Sequence, residues 1–477
     1  MVEHRDTIFV DGSFRRADAV GVIEVVNPST EQVIATIPDC IDSDVDVAAK
    51  SALDSATGWA QTSGAERANY LERLAHGIEA RAEVLPQLVT SQNGMPIAAS
   101  RHANCHGPAS VYRYYAELAR TLPTEEMRAY RGGSAYVRRE PVGVAALITP
   151  WNGPQFLLAA KLGPALAAGC PVVIKPAPET SLDAYLVCEA AREAQIPGGV
   201  VNMVTGGADT GAALVRDPRV RKVAFTGSTS AGRHIAAACA QDFKRATLEL
   251  GGKSAAIVLD DVDLNSFAAA VPYTLMGNTG QNCRALTRVL VPRTSHDDLV
   301  DCIVEALAKV PLGDPTDESS VFGPLVSARQ RDRVMDYIRI GIDEGARVAL
   351  GGGRPAGFDR GFYVEPTVLT GVDNHMRVAR EEIFGPVVCV IPYRDEAEAI
   401  AIANDSDYGL GGGVFTRDAK RGTGIARSIA TGAVGVNTYP LPVEVPFGGI
   451  KQSGIGREFG PESVQAYQEF KAIYGVG

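Results

Sequence analysis

The sequence predicts an α/β protein of two lobes, each built on a doubly wound parallel sheet. Three observations carry that prediction. Strand-like and helix-like stretches alternate from Val142 to Leu250, which is how βα units wind a parallel sheet. A second series of the same kind runs from Ala255 to Val436. A chain of 477 residues also exceeds what one ordinary hydrophobic core organises, so two large units are expected.

The elements follow in order. Ile8-Phe9-Val10, Gly12-Ser13-Phe14, Ile23 to Val26 and Val33 to Ile37 read as short strands, with Asn27-Pro28-Ser29-Thr30 a turn between two of them. Asp44 to Ser55, Gly64 to Ala80, Arg81 to Asn93 and Ala98 to Arg120 read as helices, with Pro86, Gly94-Met95-Pro96 and Pro108 complicating their ends. Tyr130 to Pro141 resumes strand character. The first α/β run places strands at Val142–Ile148, Val172–Ile174, Val200–Val204, Lys222–Thr226 and Ala246–Leu250. Helices lie between them at Phe156–Ala168, Ser181–Ala194, from Gly211 to Arg216, and from Gly232 to Gln241. Asn152, Lys175, Gly207 and Gly227 then fall beyond strand carboxyl ends, where such sheets bind ligands. In the second series, Phe267 to Met276 reads as a helix with Pro272 in its early turns, and Thr287 to Pro292 as a strand. Further helices are expected at Asp297–Ala308, Ser327–Glu344, Glu396–Asn404 and Lys420–Ile429, and strands at Ala255–Leu259, Val387–Ile391, Gly411–Thr416 and Ala433–Val436. The tail carries Ala472-Ile473-Tyr474, which could pair with a sheet edge elsewhere.

Composition excludes several classes. Hydrophobic residues make up 45% and charged residues 21% of the chain, the balance of a soluble globular protein. A formal charge of -10 argues against nucleic acid as a partner, while a nucleotide, which needs only local donors, stays possible. No apolar run reaches the roughly 18 residues of a spanning helix, and the N-terminus lacks the apolar segment of a signal peptide, so no membrane association is expected. The eight cysteines are scattered without a C-x-x-C pair, which suits a reduced, cytoplasmic protein.

Some residues carry chemistry. Cys283 follows a small-residue turn, Gly277-Asn278-Thr279-Gly280, that leaves a thiol little steric cover; it reads as a candidate nucleophile or as a buried structural cysteine. Glu249, bordered by leucines and followed by Gly251-Gly252, is a candidate general base if buried, and an edge ion pair otherwise. Asn152, in a loop bracketed by prolines, is either an oxyanion donor or the start of an Asx turn. Lys175 opens a proline-rich loop and suits a ribose or phosphate, or water. Gly227-Ser228 with Gly232 opens a helix and is a candidate phosphate cradle, although it is not G-x-G-x-x-G. His102 and His106 stand at i,i+4 with Cys105 beside them but lack a third ligand, so no metal is expected.

Together these residues resemble the aldehyde dehydrogenase superfamily over nearly the whole chain. The motifs are Thr149-Pro150-Trp151-Asn152, Phe225-Thr226-Gly227-Ser228, Leu248-Glu249-Leu250-Gly251-Gly252-Lys253, Gly280-Gln281-Asn282-Cys283, Glu381-Glu382-Ile383-Phe384-Gly385-Pro386 and Pro446-Phe447-Gly448-Gly449-Ile450-Lys451, in the family's order and spacing. The resemblance implies a Rossmann-like cofactor domain over residues 1–120 and 142–251, a catalytic domain over 252–460, and a small β oligomerisation extension from 121–141 and 461–477. It implies a homodimer or homotetramer. It makes Cys283 the nucleophile, Glu249 the general base, and Asn152 with the Cys283 backbone N–H the oxyanion hole. Cofactor-binding positions would be Thr149, Trp151, Lys175, Glu179, Gly207, Gly211, Gly227, Ser228, Leu250, Glu382 and Phe384. Phe156 and Phe447 would face substrate, and Lys161 and Glu458 match positions near the family's proton-relay path.

The implied reaction oxidises an aldehyde to the carboxylic acid with NAD as hydride acceptor. It proceeds through a cysteine thiohemiacetal and a thioester that water, activated by Glu249, hydrolyses; the CoA-dependent branch lacks this base. One departure concerns the cofactor. Many NAD-specific members have Glu three residues after the lysine, against the ribose 2′-hydroxyl, whereas this chain has Pro178 and then Glu179. NAD is expected, with NADP possible. Gly153, Ala160 and Gly277 stand where members often place aromatics, implying a roomy apolar tunnel for larger aromatic or aliphatic aldehydes. A non-redox thiol hydrolase would use Cys283 and Glu249 but leave Lys175, Glu382 and Phe384 unexplained. A non-catalytic nucleotide-binding protein would not need Cys283, Glu249 and Asn152 together.

Overall fold

The structure, a computed structural model, describes residues 2–475; Met1 of the first predicted segment and Val476 and Gly477 of the last lie outside the described residues. Two large sheets carry the chain. The first has eight strands, in the order Gly454–Ile455, Arg245–Glu249, Val220–Thr226, Val144–Ile148, Val172–Lys175, Val201–Met203, Thr7–Val10 and Ser13–Arg16. The five strands from Arg245–Glu249 to Val201–Met203 run parallel, and antiparallel strands close both edges. The parallel strands are almost wholly buried, as the apolar run Val144 to Ile148 requires of a sheet covered by helices on both faces. One face packs on Ala, Leu and Tyr side chains of the helices Gly64–Glu79, Gly107–Thr121 and Pro154–Ala168.

The second sheet has seven strands, in the order Arg347–Leu350, Thr367–Thr370, Val387–Tyr393, Arg288–Pro292, Ala255–Val258, Gly411–Phe415 and Ala433–Val436, parallel except for the first. Thr367–Thr370 has no counterpart among the expected strands, because four residues behind Pro366 show too little alternation to register. Arg288, buried within this sheet, is satisfied by the carbonyls of Lys253, Ile402 and Ala403 and by Asn374 at 2.8–2.9 Å. Its guanidinium therefore ties two strand ends and a helix end together.

The expected helix around Phe267 is Leu264–Thr274. This corrects the placement of Pro272: it lies in the last turn, because Asp263 caps the start by accepting from Ser266 N at 2.9 Å. The helix expected over Ala98–Arg120 is interrupted by a π-helical turn, His102–His106, before Gly107–Thr121. His102 and His106 are exposed on it, and among the described residues no cluster of three or more His, Cys, Asp or Glu could hold a metal. No described helix is long and apolar enough to cross a membrane.

A third, antiparallel sheet joins Glu125–Tyr130, Gly133–Pro141 and the tail strand Gln468–Tyr474. Before it reaches that sheet the chain recrosses to the first lobe. Gly454–Ile455 pairs with Arg245–Glu249, and Phe447, Phe459, Val464 and Tyr467 bury in the first core. The carboxyl ends of the first parallel sheet thus face the amino ends of Ala255–Val258, Arg288–Pro292 and Val387–Tyr393 in the second, and the candidate site lies between them.

Candidate active site

Between the lobes lies a cleft of about 1080 Å³, lined by Trp151, Asn152, Thr226, Gly227, Ser228, Leu250, Gly251, Cys283, Glu382 and Phe384, and by one face of the helix Ala328–Asp343.

Cys283 is presented by an unusual turn. Asn278, Thr279 and Gly280 take φ of +56°, +55° and +74° in succession. For the β-branched Thr279 this is a strained geometry, held by its hydroxyl accepting from Gly323 N at 3.0 Å. Gly280 has to be glycine, since a Cβ there would run into the Gly385 carbonyl. Gln281 anchors the next step by accepting from Val326 N at 2.9 Å. The turn is also stitched to the Asn152 loop. Asn278 Nδ2 donates to Asn152 O at 3.0 Å, and Asn152 Nδ2 donates to Gln281 O at 3.0 Å. Asn93 Nδ2 donates to Trp151 O at 2.5 Å from the other side. One Asn152 amide proton is held by Gln281, which fixes the plane of the amide beside the thiol.

Electrostatics at the thiol oppose ionisation. Burial pushes Cys283 up to about 12, with the Glu382 and Glu249 carboxylates adding to the effect and Arg284 offsetting it. Glu249 is itself buried, and neither carboxylate oxygen has a hydrogen-bond partner among the described residues. Burial, and then the Glu458 carboxylate, hold it well above the ordinary carboxylate value, while Lys161 and Arg457 pull it down. Lys161 and Glu458 form a buried ion pair, and Lys161 Nζ also donates to Thr226 Oγ1 at 2.6 Å. The register pairs Thr226 with Glu249 on adjacent strands, so this pair lies directly behind the carboxylate. Glu249, Lys161 and Glu458 do not line the cleft.

At the opposite wall, Glu382 accepts from Gly252 N at 2.9 Å, and a Cβ on Gly251 would fall on the Glu382 carboxylate. Burial pushes Glu382 up to about 7. Phe384, at φ +63°, meets Trp151 edge to face at 5.2 Å. Ser228 caps the helix Thr229–Gln241, accepting from Ala231 N at 3.3 Å, and Gly227 N donates to Glu249 O at 3.1 Å. Leu250 packs on Gly232 of that helix.

Five expected residues lie off the cleft in a group of their own. Thr149 N donates to Lys175 O at 3.1 Å. Lys175 Nζ donates to Pro176 O at 3.1 Å and is driven down to about 8 by burial, with Glu179 offsetting part of that. Gly211 faces the Lys175 stem, and Gly207 N donates to Asp39 Oδ1 at 3.0 Å. Phe156 packs against Phe459 at 5.4 Å, and Phe447 exchanges backbone bonds with Glu458 at 2.8 Å. Neither phenylalanine lines the cleft, but Phe156, Leu441, Val443 and Cys283 border one apolar cluster. Gly277 answers to crowding, because a Cβ there would stand 2.6 Å from the Tyr273 carbonyl.

The helix expected at Ser327–Glu344 is Ala328–Asp343, but sequence reading missed that it walls the cleft. Arg329, Arg333 and Tyr337 line the cleft at i,i+4 steps. Arg333 donates to Glu382 O at 2.6 Å, and the Tyr337 hydroxyl to Glu381 Oε2 at 2.5 Å. The signal was present as a polar stripe at helical spacing, but it is identical in form to a solvated helix face.

Known proteins resemble this chain along its whole length. The family model for the aldehyde dehydrogenase family matches residues 14–473. A geranial dehydrogenase of Castellaniella defragrans is 47% identical, with 100% of each chain covered. A 3-succinoylsemialdehyde-pyridine dehydrogenase of a Pseudomonas species is 40% identical over 100% of this chain and 99% of its own. The crystal structure of a Mycobacterium tuberculosis aldehyde dehydrogenase complexed with NAD+ superposes with a TM-score of 0.98 at 40% identity, covering 100% of both chains. A mutant of aldehyde dehydrogenase C from Pseudomonas syringae, complexed with NAD+ and octanal, gives 0.96 at 39% identity, covering 99% and 97%. With a matching family model along almost its full length and a near-identical two-lobed fold around the Cys283 cleft, the chain belongs to the aldehyde dehydrogenase family.

Proposed function

We propose that the protein oxidises an aldehyde to the carboxylic acid, with NAD as the hydride acceptor and Cys283 as the nucleophile. The observation that carries this is the meeting of the Cys283 thiol, the fixed Asn152 amide and the Glu382–Phe384 wall in one cleft. The cleft fits a dinucleotide: its volume is about 1080 Å³, a helix N-terminus opens on it at Ser228, and Gly251 leaves the Glu382 carboxylate uncovered. NAD, when bound, supplies a positively charged ring that takes the hydride from the thiohemiacetal carbon.

The residues do the rest. The Cys283 thiolate adds to the aldehyde carbon, and the remaining Asn152 amide proton and the Cys283 backbone N–H hold the oxyanion that forms. Burial raises the proton affinity of the thiol, so a positive charge brought into the cleft by the cofactor would favour the thiolate, and a proton acceptor completes the step. Loss of hydride leaves a thioester on Cys283. Glu249 takes a proton from water as it attacks the thioester carbonyl; collapse expels the Cys283 thiolate and releases the acid. The raised affinity of Glu249 for protons suits a general base, and the Lys161–Glu458 pair behind it gives the proton a way out. Gly227 and Ser228 would hold the pyrophosphate, Trp151, Leu250, Glu382 and Phe384 the nicotinamide half, and Thr149, Lys175, Glu179, Gly207 and Gly211 the adenosine half.

The apolar border of Cys283, made by Phe156, Leu441 and Val443 over Phe447 and Phe459, supports a larger apolar or aromatic aldehyde. The octanal and geranial named for two relatives are of that kind. We assign residues up to 120 and 142–251 to cofactor binding, 252–460 to catalysis, and the third sheet to pairing of subunits in a dimer or tetramer. The segment 447–460 belongs to the catalytic part by sequence order, while its Phe447 and Phe459 pack on the first core. A panel of aldehydes run with NAD, followed by NADH absorbance, tests the function. Octanal and ring-bearing aldehydes are expected to exceed acetaldehyde in kcat/KM. Ester hydrolysis with no aldehyde-dependent NADH would overturn the redox reading.

A further inference from the structure

One ion pair joins Glu179, in the group off the cleft, to the helix that lines the cleft. Glu179 stands on the 3-10 turn Pro178–Thr180, just past the strand Val172–Lys175. Arg329 opens the helix Ala328–Asp343 and lines the cleft. Arg329 Nη2 donates to Glu179 Oε1 at 3.3 Å, with side-chain exposures of 86% and 25%. Among the described residues no other bond engages the Arg329 guanidinium, so most of its five N–H donors remain available.

The pair has a consequence for the nucleotide. A lone carboxylate at this point accepts from a ribose 2′-hydroxyl and repels a 2′-phosphate, which carries between one and two negative charges at neutral pH. A carboxylate facing a guanidinium keeps its acceptor oxygens, but its charge is balanced. The guanidinium can turn from the carboxylate to a phosphate without a change of backbone, since planar recognition of phosphate is what its fork favours. Lys175, buried beside Glu179, adds a second cation on the same side.

We propose that Arg329 is a cofactor-specificity residue that admits a 2′-phosphorylated dinucleotide. With a 2′-hydroxyl it stays on Glu179; with a 2′-phosphate it moves to the phosphate and Glu179 turns to water. The inference rests on the assignment of Lys175 and Glu179 to the adenosine ribose. It makes the two partners of one ion pair act in opposite directions, which a merely structural pair does not do.

Calorimetric titration of the purified protein with NAD and with NADP, without aldehyde, tests it. Wild type binds both, NAD more tightly. Arg329→Ala weakens NADP about tenfold while changing NAD less than about twofold, because the uncompensated Glu179 now repels the phosphate. Glu179→Gln strengthens NADP severalfold and weakens NAD. Arg329 is too exposed for its removal to unfold the chain. Parallel shifts of both nucleotides in either variant, or an unchanged NADP affinity in Arg329→Ala, overturn the proposal while leaving the cofactor reading intact. Failure of wild type to bind either nucleotide overturns both.

Discussion

Replacing Glu249 by Gln separates chemistry from stability within one side chain. The carboxylate is 4% exposed and both its oxygens lack a hydrogen-bond partner among the described residues, so the isosteric amide fits the same space. A positioned general base contributes about 10²–10⁴ in rate, or roughly 3–5 kcal/mol of barrier, and its loss falls on thioester hydrolysis alone. Rapid mixing should therefore show a burst close to one NADH per site, followed by a steady rate reduced at least a hundredfold. Stability should move the other way. Glu249 binds its proton more tightly folded than unfolded, so in wild type stability falls as pH rises from the ordinary carboxylate value to the raised native one. Each unit of that elevation is about 1.4 kcal/mol, and Glu249→Gln escapes it. The variant's advantage in thermal unfolding should be absent in acid, grow through that window, and then level off. A wild-type steady rate would refute Glu249 as the base. Loss of the burst would place its action before hydride transfer instead, and a variant less stable than wild type at high pH would refute the electrostatic reasoning.

Asn152→Ala should remove the burst itself and lower kcat by about 10²–10³, since one oxyanion donor is lost; stopped-flow absorbance distinguishes this from a slowed steady state. Because burial pushes Glu382 up to about 7, its carboxylate should be lost as pH falls through that value. NAD affinity should weaken below it, and Glu382→Gln should flatten the dependence, read as Kd against pH by calorimetry. Phe470 is 57% exposed on the tail strand, so Phe470→Asp should leave the protomer folded but lower the assembly state in sedimentation velocity.

The elements most legible in the sequence were those whose cause is local. Buried parallel strands such as Val144–Ile148 and Val172–Lys175 announce themselves as β-branched apolar runs between helices, because a sheet covered on both faces has no polar side to show. The strand Thr367–Thr370, the π-helical turn His102–His106 and the late position of Pro272 were not legible, since each depends on what packs against it. The polar stripe Arg329, Arg333 and Tyr337 lines the cleft, although in sequence such a stripe has the same form as a solvated helix face.

The same division holds at the site. Cys283 on its small-residue turn, Glu249 between leucines and Asn152 in its proline-bracketed loop are choices of side chain and backbone, and the sequence by itself determined them. Tertiary structure decided the rest. It alone brings Glu458 to Lys161, across 297 residues of chain, by folding the segment after Phe447 back onto the first sheet. It alone sets Arg329 against Glu179, and it alone raises the proton affinity of Glu249 and Cys283. Ionisation and pairing depend on distance and desolvation, which are properties of how elements pack and not of how residues follow one another.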